Sequence, residues 1–130
     1  MAKADVDLCF AGAGENCHLA FNDPPADFDT GYPFIVVDLD AACRQQQFGE
    51  GWFPTLDAVP AQAVSMSVRQ IMKSKQIILS ISDARKAAAV KAALEGPVTN
   101  AAPASILQTH GNVSVHLDPH AAQLLETRPA

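Results

Sequence analysis

The chain has 130 residues, 48% of them hydrophobic and 18% charged, which is the size and composition of one globular domain able to bury a core. Its formal charge of -5, with nine scattered basic residues, excludes the clustered Lys and Arg needed to grip a nucleic-acid backbone. No apolar stretch reaches the roughly 18 residues of a membrane span, and Met1 to Asp5 lacks the apolar segment of a signal peptide. No membrane contact is expected, and the location expected by default is cytoplasmic.

In chain order, Asp7 to Ala11 is a short apolar run ending in glycine, read as a buried strand entering a ligand-facing loop. Asp23 to Pro33 is loop, with Pro24, Pro25 and Pro33. Ile35 to Leu39 is a β-branched strand, followed by a helix from Asp40 to Gln47. Phe48 to Phe53 reads either as a lid whose Trp52 closes over ligand or as a loop that Trp52 and Phe53 anchor to the core. Ala63 to Met66 is a third strand, Val68 to Lys73 a short helix, and Gln76 to Ser82 the clearest strand. The best helix runs from Asp83 or Ala84 to Glu95, capped by Ser82 or Asp83, filled with alanine and stopped by Gly96-Pro97. Helices at Ala104 to Thr109 and Pro119 to Leu125 flank a last strand, Val113 to Leu117. Strands alternating with helices predict an α/β fold with a mainly parallel sheet flanked by helices, whose ligands bind outside the carboxyl ends of the strands. The whole of residues 1–130 is expected to be a single domain.

Cys9, Cys17 and Cys43 are odd in number and lack Cys-x-x-Cys spacing, so they indicate neither a disulfide framework nor a metal site. The chemistry concentrates instead in Gly12-Ala13-Gly14-Glu15-Asn16-Cys17-His18-Leu19-Ala20-Phe21-Asn22-Asp23-Pro24, which follows the first strand. His18 titrates near neutral pH and can move a proton, and Asp23 can fix its tautomer if the loop folds back. Lys86 falls in the first turn of the alanine-rich helix, where the helix dipole disfavours a cation by a few tenths to about 1 kcal/mol. A bound anion would remove that conflict, and Arg85, Lys86 and free helix amides could together hold a phosphate; the alternative is two solvated basic side chains.

The histidine-bearing run resembles the signature of the glucosamine-6-phosphate deaminase/isomerase family, Gly-x-Gly-(Glu or Val)-(Asn or Asp)-Gly-His-(Leu or Ile)-Ala-Phe-Asn-(Asp or Glu)-Pro, departing from it only at Cys17. The resemblance continues through Val59 to Val68 and Ala93 to Gly96, as far as about His116. It implies a partial NagB/ribose-phosphate-isomerase-like fold and a reaction on amino-sugar phosphates that needs neither metal nor organic cofactor. By resemblance, His18 opens the sugar ring, Asp23 orients it, and Gly12, Gly14, Asn16, Arg44 and Lys86 contact substrate, the last two at its phosphate. Arg44 reads equally as a surface residue. Asn16 stands where some relatives have aspartate, which leaves it a binding role at most. Cys17, in place of glycine, puts a β-carbon where it would narrow the sugar site or distort the turn, and could itself be a nucleophile.

The family is longer, and what this chain resembles is its C-terminal half. The N-terminal strands, the phosphate loop and the proton-moving carboxylate of the family have no counterpart here, so an exposed sheet edge is expected, covered by a homo-oligomer partner or by an N-terminal half. Two other readings stand beside the enzyme: a non-catalytic sugar-phosphate sensor domain, and a 6-phosphogluconolactonase-like hydrolase.

Overall fold

The computed structural model describes residues 5–127. The expectation that the N-terminus carries no signal peptide falls on residues 1–4, which lie outside the described residues, as do 128–130. The chain builds β1 (Leu8–Ala11), β2 (Phe34–Asp38), α1 (Ala41–Gly49), β3 (Gln62–Met66), α2 (Val68–Met72), β4 (Gln76–Ile81), α3 (Ala87–Leu94) and β5 (Val113–Leu117), with 3-10 turns at Leu56–Ala58, Ala84–Lys86 and Pro103–Thr109. Among the described residues no helix is long and apolar enough to cross a membrane.

Strands β1, β4 and β5 form a parallel sheet in the order β1-β4-β5, with Phe10 opposite Ile78 and Leu79 opposite Val115. The central strand alternates cleanly. Ile77, Leu79 and Ile81 point to one face and are buried against Ala89, Val90 and Ala93 of α3 and Ala104 and Leu107 of the turn behind it. Each fully buried leucine or isoleucine there contributes about 1.5–3 kcal/mol. The opposite face is open at β1, where Leu8 is 42% and Phe10 75% exposed. Parallel sheets are normally covered on both faces, so this one lacks a layer.

Four sequence expectations change. Strands β2 and β3 do not join the parallel sheet; they pair antiparallel in a separate ribbon, Phe34 opposite Met66 and Val36 opposite Val64. The α-helix does not begin at Asp83 or Ala84, because Asp83 has φ of 88° and its side chain accepts from Arg85 N, winding a 3-10 turn before α3 starts at Ala87. Ala104 to Thr109 is likewise 3-10, entered through Pro103. Pro119 to Leu125 forms turns rather than a helix, its start held by Asp118 accepting from Ala121 N at 2.7 Å. The helix after β2 does form, with Asp40 as N-cap accepting from Cys43 N at 2.6 Å, a cap worth about 0.5–2 kcal/mol.

Candidate active site

The loop after β1 carries the histidine to the carboxyl end of the sheet. Its geometry is tight: Cys17 N donates to Gly14 O, Asn22 N to Leu19 O, and Leu19 is wholly buried as the loop's anchor. Cys17 and Ala20, at φ of 68° and 51°, bracket His18 and Leu19. Left-handed backbone at residues with a β-carbon costs about 1–2 kcal/mol each, the kind of strain that a packed surround must hold in place. Asn22 supplies part of that hold, donating to Leu19 O, Ser65 Oγ and Met66 O, so the loop is pinned to β3.

His18 is 8% exposed and its ring lies over Gly14. A β-carbon on Gly14 would occupy the space of the imidazole, whereas one on Gly12 would meet only Ser80 O at 3.5 Å. Nδ1 of His18 is 2.5 Å from Asn16 Oδ1 and 3.4 Å from Asp23 Oδ1. Asn16 Nδ2 donates at 3.0 Å both to Asp23 Oδ1 and to Asp40 Oδ2, and Asp23 Oδ2 accepts from Asp40 N. This arrangement fixes the proton. Two ionised carboxylates can only accept, so the amide NH2 must face them and its oxygen must face Nδ1; Nδ1 therefore carries hydrogen and Nε2 presents a lone pair. Burial pushes the imidazole below its usual range, and the charges of Asp23 and Asp40 pull part of the way back. The ring is thus held neutral, ready to accept a proton.

The cavity that His18 faces has a volume of about 610 Å³ and is walled by Gly12, Gly14, Gln46, Gln47, Glu50 and Lys86 among others. His18, Gly12, Gly14 and Lys86 are thereby brought together. Lys86 sits at the N-cap position of α3, where no side chain caps the first amides. Arg85 is turned elsewhere, its guanidinium on Asp83 at 2.8 Å and near Glu15. Arg44 is not brought to the cavity: its Nη2 donates to the carbonyls of Leu56 and Val59, bracing the turn after α1. Asn16 does not face substrate either, since its oxygen takes His18 N and Nδ1 and its nitrogen serves two carboxylates, leaving no hydrogen-bonding capacity.

Cys17 points away from the cavity. Its Sγ donates to Ala89 O, and burial raises its thiol pKa, so it neither narrows the site nor serves as a nucleophile. Trp52 is 72% exposed, which rules out anchorage in the core; its Nε1 donates to Glu50 Oε2 at the cavity wall. Sequence reasoning missed Asp40, whose only visible signal was its place as a helix cap, and Glu50, which no motif marks. It also did not foresee that one ligand atom each from His18, Asp23 and Cys43 lies within 4.8 Å of the other two. A larger hollow of about 750 Å³ beside β5 is lined by Leu94, Val115 and Leu125 and by Glu95 and Asp118. Both carboxylates there are occupied by backbone amides, and among the described residues no Lys or Arg lines it.

The parallel sheet, with the imidazole of fixed tautomer at its rim, has the α/β fold of a solved enzyme of the NagB superfamily. The chain is homologous to the C-terminal half of the glucosamine-6-phosphate deaminase/isomerase family. It is 42% identical over 123 residues to a glucosamine-6-phosphate deaminase of Oenococcus oeni, covering 95% of this chain and 50% of that one. A glucosamine-6-phosphate deaminase of Streptococcus equi subsp. zooepidemicus is 41% identical over 126 residues, covering 97% and 52%. The solved structure of a monomeric glucosamine-6-phosphate deaminase superposes with a TM-score of 0.85 at 39% identity, over 92% of this chain and 48% of that chain. A 6-phosphogluconolactonase from Trypanosoma brucei shares the fold, with a TM-score of 0.68 at 24% identity, over 92% and 42%. No family model matches the chain. The chain spans about half the length of the curated relatives it matches.

Proposed function

We propose that residues 1–130 form one domain carrying the ring-opening half of an amino-sugar-phosphate deaminase/isomerase. His18 takes and returns a proton at the sugar ring oxygen through Nε2. Asp23 orients the ring, acting through Asn16 as well as directly. Lys86, at the amide end of α3, receives the phosphate, Gly12 lines the sugar cavity, and Gly14 makes room for the His18 ring. The observation that carries this reading is the Asn16 amide, whose two carboxylate partners leave His18 with a lone pair directed away from them. No metal or organic cofactor enters these steps.

Deamination also needs a base beside the sugar carbons. That role falls to a second polypeptide segment, or to a second copy, seated on the open face of β1. The exposure of Leu8 and Phe10 there supports this, as does the exposure of Val36 and Val64 on the ribbon. The deciding experiment measures ammonia release from glucosamine 6-phosphate by the chain alone and with the N-terminal half of a full-length relative added. Turnover that needs His18 supports the proposal. Binding of the sugar phosphate with no ammonia under either condition would favour the sensor reading, and turnover of 6-phosphogluconolactone instead would favour the hydrolase.

A further inference from the structure

Two side chains of opposite charge line the cavity that His18 faces. Lys86 stands at the amide end of α3, and Glu50, the residue that ends α1, stands in the wall next to Gln46 and Gln47. The Glu50 carboxylate is held at both oxygens: Gln46 Nε2 donates to Oε1 at 3.0 Å and Trp52 Nε1 donates to Oε2 at 3.2 Å. Gln46 is fixed in turn, because Glu15 N donates to its Oε1 at 3.1 Å and its NH2 must therefore face Glu50. These contacts tie the end of α1 to the loop that bears His18, and they leave one lone pair on each Glu50 oxygen. Among the described residues no basic side chain forms an ion pair with Glu50. Arg85, which feels its charge, is bonded to Asp83 instead.

A carboxylate in the wall of a phosphate cavity works against a ligand that carries only phosphate. Such a ligand is attracted by Lys86 and repelled by Glu50, whereas one that also carries an ammonium is attracted by both. We propose that Glu50 is the residue that selects an amino sugar, its carboxylate receiving the substrate's ammonium group while Lys86 receives the phosphate. The inference rests on the sugar-phosphate reading of this cavity and adds to it the origin of a preference for amine over hydroxyl.

A protonated amine offers three N–H donors and no acceptor, which suits two carboxylate oxygens with a free lone pair each. A hydroxyl in its place brings one donor and no charge. Gln46 and Trp52 hold the acceptor in place before the ligand arrives, so less side-chain freedom is lost on binding. Glu50 is exposed in the unliganded chain, and water and salt screen its charge, which sets the discrimination at about tenfold rather than several orders of magnitude. The same carboxylate disfavours 6-phosphogluconolactone, which carries phosphate without the amine.

The test is isothermal titration of the purified chain with glucosamine 6-phosphate and with glucose 6-phosphate, at a pH where the amine is protonated. The two ligands differ only by ammonium against hydroxyl at one carbon. The native chain is expected to bind the amino sugar about tenfold tighter, with added salt narrowing the gap. In Glu50→Gln, which keeps the length of the side chain and one acceptor oxygen, that advantage should vanish while glucose 6-phosphate binds as before or better. Glu15→Gln removes a carboxylate that is paired with Arg85 and does not line the cavity, and should keep the preference. Equal affinities in the native chain overturn the role of Glu50, and so does a preference that survives Glu50→Gln or disappears in Glu15→Gln. Loss of both ligands in Glu50→Gln overturns it too, since a residue that reads the amine leaves glucose 6-phosphate untouched. In each of these outcomes the native chain still binds sugar phosphate, and the reading of the cavity stands. Binding of neither ligand by the native chain removes that reading and the role of Glu50 with it.

Discussion

The Asn16 amide oxygen lies against Nδ1 of His18, and that one contact decides what the histidine can do. In Asn16→Asp the amide is replaced by a third carboxylate beside Asp23 and Asp40, and the negative charge reaching the ring increases. The His18 pKa should rise, and the acid limb of any pH profile should move up with it. In Asp23→Asn an attraction that raises the imidazole pKa is removed, so its titration should move further down. Both shifts are read from the His18 resonances in an NMR pH titration. Equal and unchanged values in the two variants would mean that the ring does not sense this network.

The depressed imidazole also sets a stability window. A histidine whose folded pKa lies below about 6.5 binds fewer protons folded than unfolded in the interval between the two values. Stability therefore rises with pH through that interval and is flat, for this group, above it. Denaturant midpoints measured from pH 5 to 8 should climb more steeply in the native chain than in His18→Gln.

Gly14 and Gly12 are not equivalent, although the sequence presents them as a pair. In Gly14→Ala the β-carbon takes the place of the His18 ring, so the ring must swing out, and sugar-phosphate binding should fall by at least about tenfold. In Gly12→Ala the new methyl makes ordinary contact with Ser80 O, and binding should change by less than a factor of about three. Isothermal titration with glucosamine 6-phosphate separates the two.

How much of this was legible in the sequence follows from the range of each interaction. Strand β4, with its run of Ile77, Ile78 and Leu79, and the helix following β2 are local patterns, and they form as expected. The antiparallel pairing of β2 with β3 is not local: nothing in Phe34–Asp38 states that its partner is Gln62–Met66 rather than the parallel sheet. The site divides in the same way. His18 and Asp23 lie within one loop and were marked together. Asp40 and Cys43 reach them from the start of α1, and no spacing rule links the two segments. Arg44 was singled out by residue type alone, and the structure gives its guanidinium to two carbonyls instead.

Lys86 and Arg85 are adjacent in sequence, yet only one is available to an anion. Arg85 is paired with Asp83 and Glu15, both pairs more than a third exposed, so it is already neutralised and contributes little to a newly bound phosphate. Lys86 lines the cavity at the amide end of α3, where a phosphate would meet both the ammonium and the positive end of the helix dipole. Lys86→Gln should weaken glucosamine 6-phosphate about tenfold or more and leave unphosphorylated glucosamine unaffected, whereas Arg85→Gln should change neither by more than about twofold. The pair of ligands is essential to the measurement, since a variant that merely loosened α3 would weaken both. Equal losses in Lys86→Gln and Arg85→Gln would instead locate the phosphate on the outer side of the Ala84–Lys86 turn.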